Sequence, residues 1–227
     1  MSVPRVFISS TFFDLKHIRE DMDRFIRDLG YESIRHEKGN IAYGKEKPLE
    51  EYAYRELDLC DMVVTIVGGR FGSLSSIDTE YSITQKEIIR AIEKSIPLFI
   101  FVDKSVYTEY STYLINKENP TVKYKFVDNV KIFEFIDFLY SLPKNNPIHA
   151  FESSSDITAT LKLQWAGLFQ RFLKEQERNS ELSAVSEAKS IANTLQQLIS
   201  YFSKERGNAD AAIQSIIQVS NPVFKRI

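Results

Sequence analysis

One cysteine, three histidines, eight glycines and seven prolines are all that the 227 residues contain of these types. The single thiol, Cys60, excludes an intramolecular disulfide framework and suits a reducing compartment. His17, His36 and His149 have no cysteine or carboxylate partners at ligand spacing, so no metal site is expected. The longest apolar runs, Met62–Val67 and Leu98–Val102, fall far short of the roughly 18 residues of a membrane span. A net charge of −2 offers neither a basic groove for nucleic acid nor an attraction to anionic lipid. No Gly-x-Ser-x-Gly, Gly-x-Gly-x-x-Gly or Walker-type phosphate loop occurs. The opening Met-Ser-Val-Pro-Arg runs straight into a strand-like segment, so a cytoplasmic protein without a signal peptide is expected.

What remains is an alternating pattern. Arg5–Ser10 is short, apolar and β-branched, as a buried strand is. From Asp14 to Leu29 the apolar residues Leu15, Ile18, Met22, Phe25 and Ile26 recur in steps of three and four, with Gly30 placed as a C-terminal cap. Tyr31–Arg35 reads as a weaker strand and Lys38–Lys47 as a polar loop. Pro48 opens a helix to about Leu59, with Leu49, Ala53 and Leu57 inward. Asp61–Val67 is the clearest strand and Gly68–Gly72 ends it. Ser82 and Gln85 have capping-box spacing at the head of a helix running to Ser95, and Pro97 introduces the strand Leu98–Val102.

Near-continuous apolar strands alternating with amphipathic helices predict an α/β, doubly wound, flavodoxin-like parallel sheet of order 2-1-3-4-5. Ser105–Asn116 and Lys131–Ser141 add helices, and Pro147–Phe151 a last edge strand. From Ser153-Ser154-Ser155-Asp156 onward the composition is helical throughout. The expected division is therefore an α/β domain, 1–153, and a helical extension, 154–227, forming a hairpin or short coiled coil with a short final helix near Ala211–Val219.

In such sheets ligands bind beyond the carboxyl ends of the strands where the strand order reverses, between the first and third strands. The loops leaving those strands are Ser9–Phe13 and Gly68–Ser73. Hydroxyls in one and glycine backbone in the other can both donate to phosphate or ribose oxygens. Each loop also has a plainer explanation: Thr11 with Asp14 as a helix cap, and Gly68-Gly69 as a turn needing positive φ. Glu87, about a turn and a half into the next helix, is in a position to overhang the same crevice, although a lone glutamate on a helix is usually a solvated residue and periodicity alone does not single it out. Cys60, at a helix end, is expected to be packed, and the Tyr/Phe-rich stretch Tyr107–Tyr140 to be core.

The run Val6-Phe7-Ile8-Ser9-Ser10-Thr11-Phe12-Phe13-Asp14-Leu15 with Arg19, the block Cys60-Asp61 with Gly68–Ser73, and the block Tyr81–Glu87 together resemble a TIR-related family long labelled a domain of unknown function. That family commonly stands at the N-terminus of bacterial conflict proteins and of NACHT, tetratricopeptide or WD-repeat proteins. The likeness covers roughly residues 4–102. It implies a TIR-like fold and, with Glu87 in the place of the essential glutamate of catalytic TIR domains, cleavage of the nicotinamide–ribose bond of NAD. It further implies nucleotide contacts from Ser9, Ser10, Thr11, Phe12, Gly68, Gly69, Arg70, Phe71, Gly72, Ser82 and Thr84. NAD is then substrate, and no cofactor is needed. Gln85 stands where the family often has an acidic residue, and Ile83-Thr84 where many TIR enzymes have tryptophan-cysteine.

Three functions follow as expectations. One is an NAD glycohydrolase, or a related nucleotide hydrolase or cyclase, in antiphage defence. Another is a non-catalytic nucleotide-sensing or self-assembling module whose tail, with apolar a/d spacing from Leu182 to Phe202, drives homo-oligomerisation or meets a partner defence protein. The last is a nucleoside deoxyribosyltransferase-like enzyme.

Overall fold

In the computed structural model of the chain, residues 3–10, 14–35, 49–76, 80–119, 121–142 and 147–204 are described. Strands β1 (Arg5–Ser10), β2 (Glu32–Ile34), β3 (Met62–Val67), β4 (Leu98–Asp103) and β5 (Ile148–Phe151) form one sheet of order β2-β1-β3-β4-β5, every pair parallel. The doubly wound reading therefore holds. Six helices alternate with the strands: α1 (Lys16–Asp28), α2 (Leu49–Asp58), α3 (Ile83–Glu93), α4 (Lys104–Ile115), α5 (Lys131–Ser141) and α6 (Ser154–Lys204). Helix α1 lies on one face of the sheet and α2 and α3 on the other, the arrangement that right-handed crossovers produce.

Strand alternation sorts the side chains. Phe7 and Val63 pack with Leu57 of α2 and Ala91 of α3, so odd-numbered residues of β1 and β3 face those helices. Ser9 and Thr65 project the same way, because they are register partners two residues further on. Ser10 projects to the other face, where Arg19 of α1 reaches it. A second cluster joins Val67, Ile88, Ile100 and Val102 to the aromatic helices α4 and α5, with Tyr110, Tyr113 and Phe133 at its centre. Each fully buried side chain of this size contributes about 1.5–3 kcal/mol.

Two helix ends share a mechanism. Beyond α1, Gly30 N–H bonds Arg27 O and Tyr31 N–H bonds Ile26 O, with Gly30 at φ +80°. Beyond α3, Ser95 N–H bonds Ile92 O and Ile96 N–H bonds Ala91 O, with Ser95 at φ +57°. Both are Schellman ends, and the second lacks the glycine that suits it. At the head of α3 the expected capping box is present: Ser82 Oγ accepts from Gln85 N–H, and Gln85 Oε1 accepts from Ser82 N–H.

Several sequence expectations change. Ser9 and Ser10 are the last two residues of β1, as the strand reading Arg5–Ser10 had it, and do not belong to the loop Ser9–Phe13 that was also read from them. Helix α1 begins at Lys16, with Leu15 at its cap and no side-chain cap bond, so Asp14 lies outside it. Its carboxylate reaches instead across to Arg70 N–H at 3.2 Å. Thr11 and Phe12 lie outside the described residues, as do the Lys38–Lys47 loop and the final helix near Ala211–Val219.

The chain divides into two compact units, Met1–Lys162 and Leu163–Ile227. The first includes the start of α6, where Ile157 and Leu161 are fully buried, Lys162 lies over the Phe25 ring, and Ser154 donates to Asp21. In the second, α6 continues without interruption to Lys204, with Phe169, Phe172, Leu173, Leu182, Val185 and Leu195 exposed. The described part of the extension is thus one unbroken helix. No helix among the described residues is long and apolar enough to cross a membrane.

Candidate functional site

Helices that follow parallel strands start at the sheet's carboxyl edge, so the first turns of α2 and α3 stand beside the ends of β1 and β3. There the structure brings two of the expected residues together. Ser9 Oγ donates to Glu87 Oε2 at 2.5 Å, across 78 positions of sequence. Both are closed off, with Ser9 1% and Glu87 4% exposed. A carboxylate in such a place needs donors, and a serine hydroxyl aimed at one oxygen is a strong one.

The neighbouring serine serves the opposite face. Arg19, itself buried, donates to Ser10 O at 2.7 Å and to Ser10 Oγ. Arg35 bonds Arg19 O at 3.4 Å and pairs with buried Asp23 at 3.0 Å. Ser10 therefore ties β1 to α1, while Ser9 joins Glu87.

The glycine loop forms a separate feature. Gly68, Gly69 and Arg70 line an open cleft of about 370 Å³ with Asp14, Asp103, Ser105 and the 125–128 segment. Gly68 and Gly69 are not glycine because of positive φ; among the described glycines that property belongs to Gly30 and Gly72. Close approach is the reason. A Cβ on Gly68 would meet Asp14 Oδ2 at 2.2 Å, and one on Gly69 would meet the Phe126 carbonyl oxygen at 2.0 Å. The loop's amides are also partly engaged: Arg70 N–H bonds Asp14, and Phe71 N–H bonds Asp128 at 3.2 Å. The side chains of Arg70 and Lys125, both exposed, are the cations at this cleft. Ser9 and Glu87 are not among its lining residues.

Ser82 and Thr84 lie at the head of α3, both buried, with Ser82 engaged in the capping box. Among the described residues no group of three or more histidine, cysteine, aspartate or glutamate side chains is arranged to hold a metal ion.

Sequence reasoning missed Glu50, Tyr54 and Thr65. Glu50, in the first turn of α2, is 4% exposed. Its Oε2 accepts from Ser76 N–H at 2.9 Å and Ser76 Oγ at 2.8 Å, and its Oε1 accepts from the Tyr54 hydroxyl. Burial alone would raise its pKa, but hydrogen bonds from Ser75, Tyr54 and Ser76 outweigh that and hold it below the usual carboxylate value. Burial, the bond to Glu50 and the charges of Glu50 and Glu87 together drive the Tyr54 phenol well above its ordinary value. The available signal was spacing: Glu50, Ala53, Tyr54 and Leu57 share one helical face.

The DUF4062 family model, described as a domain of unknown function, matches residues 5–166. The chain belongs to that family. The DUF4062 match spans the sheet, all five crossover helices and the start of α6. No curated protein matches the sequence. Among solved structures, the fold is similar to a 2-deoxyribosyltransferase from the psychrotolerant bacterium Bacillus psychrosaccharolyticus, at 16% identity and a TM-score of 0.35 over 68% of this chain and 90% of that one.

Proposed function

We propose that this DUF4062 domain breaks the N-glycosidic bond of NAD or a related nucleotide, with Glu87 as the carboxylate acting at the ribosyl carbon. The observation that carries the reading is the buried Ser9–Glu87 hydrogen bond at the carboxyl edge of β1 and β3. Departure of nicotinamide takes the electron pair of the C1′–N bond and leaves an oxocarbenium-like ribosyl group. An adjacent fixed carboxylate stabilises that charge in a site from which water is largely excluded. Water then adds to C1′, and its proton passes to Glu87 and on to solvent. Ser9, by holding Oε2, fixes which carboxylate oxygen faces the sugar.

The remaining nucleotide contacts follow from the segments leaving the strands: Thr11 and Phe12 after β1, and Gly68 to Gly72 after β3. With the Arg70 and Phe71 amides engaged, Arg70 and Lys125 side chains are the groups left to meet phosphate. Ser82 and Thr84 complete the set at the head of α3. On the resemblance to TIR-related domains, the cellular role is that of a cytoplasmic effector in bacterial antiphage defence. The test is nicotinamide release from NAD by the purified chain and by Glu87→Gln. Release by the wild type alone supports the assignment; equal release by both sinks it.

A second reading, assembly without catalysis, is favoured by the exposed apolar side chains of α6, among them Leu182, Val185 and Leu195. Light scattering on the full chain and on a chain ended after Gln170 separates the two. A dimer that becomes a monomer on truncation supports assembly through the tail.

A further inference from the structure

The cleft beside the glycine loop opens onto a neighbour. A second cavity, of about 580 Å³, is lined by one face of α4, by Phe126, and by Phe151 and Glu152 at the end of β5. The two cavities share Asp103, Ser105 and Phe126. Both volumes fall within the roughly 300–1,000 Å³ of small-molecule sites.

The shared residues carry uncommitted polar atoms. Asp103 ends β4 and caps α4, its Oδ1 accepting from Ser105 N–H at 2.8 Å and Val106 N–H at 3.4 Å. Its Oδ2 and the Ser105 hydroxyl have no hydrogen-bond partner among the described residues. The flanking cavities differ in charge. In the second, Lys104 pairs with Glu152, and Glu109 accepts from the Lys125 and Phe126 amides, so each charge is already met. In the first, Asp14 and Asp128 hold loop amides, while the Arg70 and Lys125 side chains are exposed. Lys125 Nζ lies 5.2 Å from the centre of the Phe126 ring, so this cation stands close to the junction.

Each part selects a different chemistry. The second cavity, with its charges matched and the half-exposed Phe126 as a wall, suits a neutral flat ring. A carboxylate oxygen with a hydroxyl beside it suits donors, which the adjacent hydroxyls of a sugar supply. The first cavity offers cations to an anionic link. Ring, diol and phosphate in that order make a ribonucleotide. We infer that the joined cavities hold the adenosine half of the dinucleotide, with Asp103 Oδ2 accepting from the ribose diol, the base against Phe126 and the phosphate towards Arg70 and Lys125. Asp103 is then a specificity residue that also repels a phosphate at the 2′ position. The inference rests on the reading of the substrate as NAD, and not on bond breaking at Glu87.

The experiment titrates the full chain by calorimetry with adenosine 5′-monophosphate, its 2′,3′-dideoxy form and adenosine 2′,5′-bisphosphate. The monophosphate is expected to bind at least about tenfold tighter than either of the others, the scale of one hydrogen bond to a charged group. Asp103→Ser keeps a good helix cap and removes the second oxygen. It is expected to weaken the monophosphate to the level of the dideoxy probe and to leave that probe unchanged. Asp103→Asn, which also caps α4 but turns an amide towards the sugar, is expected to bind the bisphosphate no more weakly than the monophosphate. Phe126→Ala is expected to weaken the monophosphate and the dideoxy probe alike. No binding of the monophosphate, a diol preference that survives Asp103→Ser, a bisphosphate bound by the wild type as tightly as the monophosphate, or indifference to Phe126→Ala overturns the inference. Nicotinamide release from NAD is scored separately. The expected binding pattern without release removes only the cleavage reading, and release with a diol preference indifferent to Asp103 removes only this inference.

Discussion

Replacing Ser9 by alanine leaves the Glu87 carboxylate buried with one donor fewer, and such a loss costs about 1–3 kcal/mol. Urea denaturation of Ser9→Ala is expected to show it. Glu87→Gln, which keeps shape and lowers the charge, is expected to fold at least as stably as the wild type while losing nicotinamide release. The glycine loop gives a sharper contrast. Gly68→Ala meets a carboxylate tip that can swing away, whereas Gly69→Ala meets a backbone carbonyl that cannot. Gly69→Ala is expected to lose at least about 2 kcal/mol and clearly more than Gly68→Ala. From sequence, Ser9 stood out by its place at the end of the first strand and Glu87 by the resemblance to TIR domains, and the structure brings them into contact. The splitting of Ser9 from Ser10 follows from period-two alternation at the end of β1. Glu50 was hidden because an acidic residue in a first helical turn already has a reason to be there, the helix dipole. Thr65 was hidden because one hydroxyl inside Met62–Val67 looks like any β-branched strand residue.

The elements were legible where amphipathic period and punctuation agreed. Arg5–Ser10 and Lys131–Ser141 have the bounds read from the sequence. The start of α1 was not, because Asp14 has the chemistry of a cap yet serves the Arg70 amide instead, a tertiary partner no local pattern discloses. At the end of α3, Ser95 occupies a left-handed conformation that glycine adopts freely. Ser95→Gly is therefore expected to raise stability by about 0.5–1 kcal/mol, read as a higher urea midpoint at unchanged slope. Cys60, at the end of α2, is buried and donates to Glu56 O, and burial pushes its thiol up to about 12. A thiol reagent at pH 8 is expected to leave the native protein unmodified and to label it only on unfolding.

The molecule as a whole is bounded by pH on both sides. Asp58 is held low by its paired bonds from Arg90, at 2.7 Å each, and Glu50 by the donors around it. Asp137 is held low against burial by Lys117 and Tyr110, and Asp156 by the Glu152 and Ser153 amides. Carboxylates held low in the native state bind fewer protons there than when unfolded, so the stability they contribute is present above about pH 4–5 and is lost as pH falls further. Burial raises Cys60 to about 12, and burial with its bond to Tyr107 raises Tyr140 to about 12. Their contribution is full below the unfolded values and lost as pH rises from about 9 towards 12. Urea midpoints are expected to form a plateau between these limits. At this scale the parallel sheet and its strand order were legible, because alternation of strand and helix admits few other arrangements. Where the first compact unit ends was harder to see: α6 carries one helical pattern straight through Lys162, so nothing in its periodicity marks the change.

The interior place of β1 bears on how the protein is made. It pairs with β2 on one side and β3 on the other, yet β3 ends at Val67. At a synthesis rate of about 5–20 residues per second, Arg5–Ser10 waits roughly 3–11 s before its second neighbour exists. During that interval Val6, Phe7 and Ile8, fully buried in the finished sheet, are open on a nascent chain. Chaperone capture in translation is expected to be greatest before Val67 emerges and to fall after it.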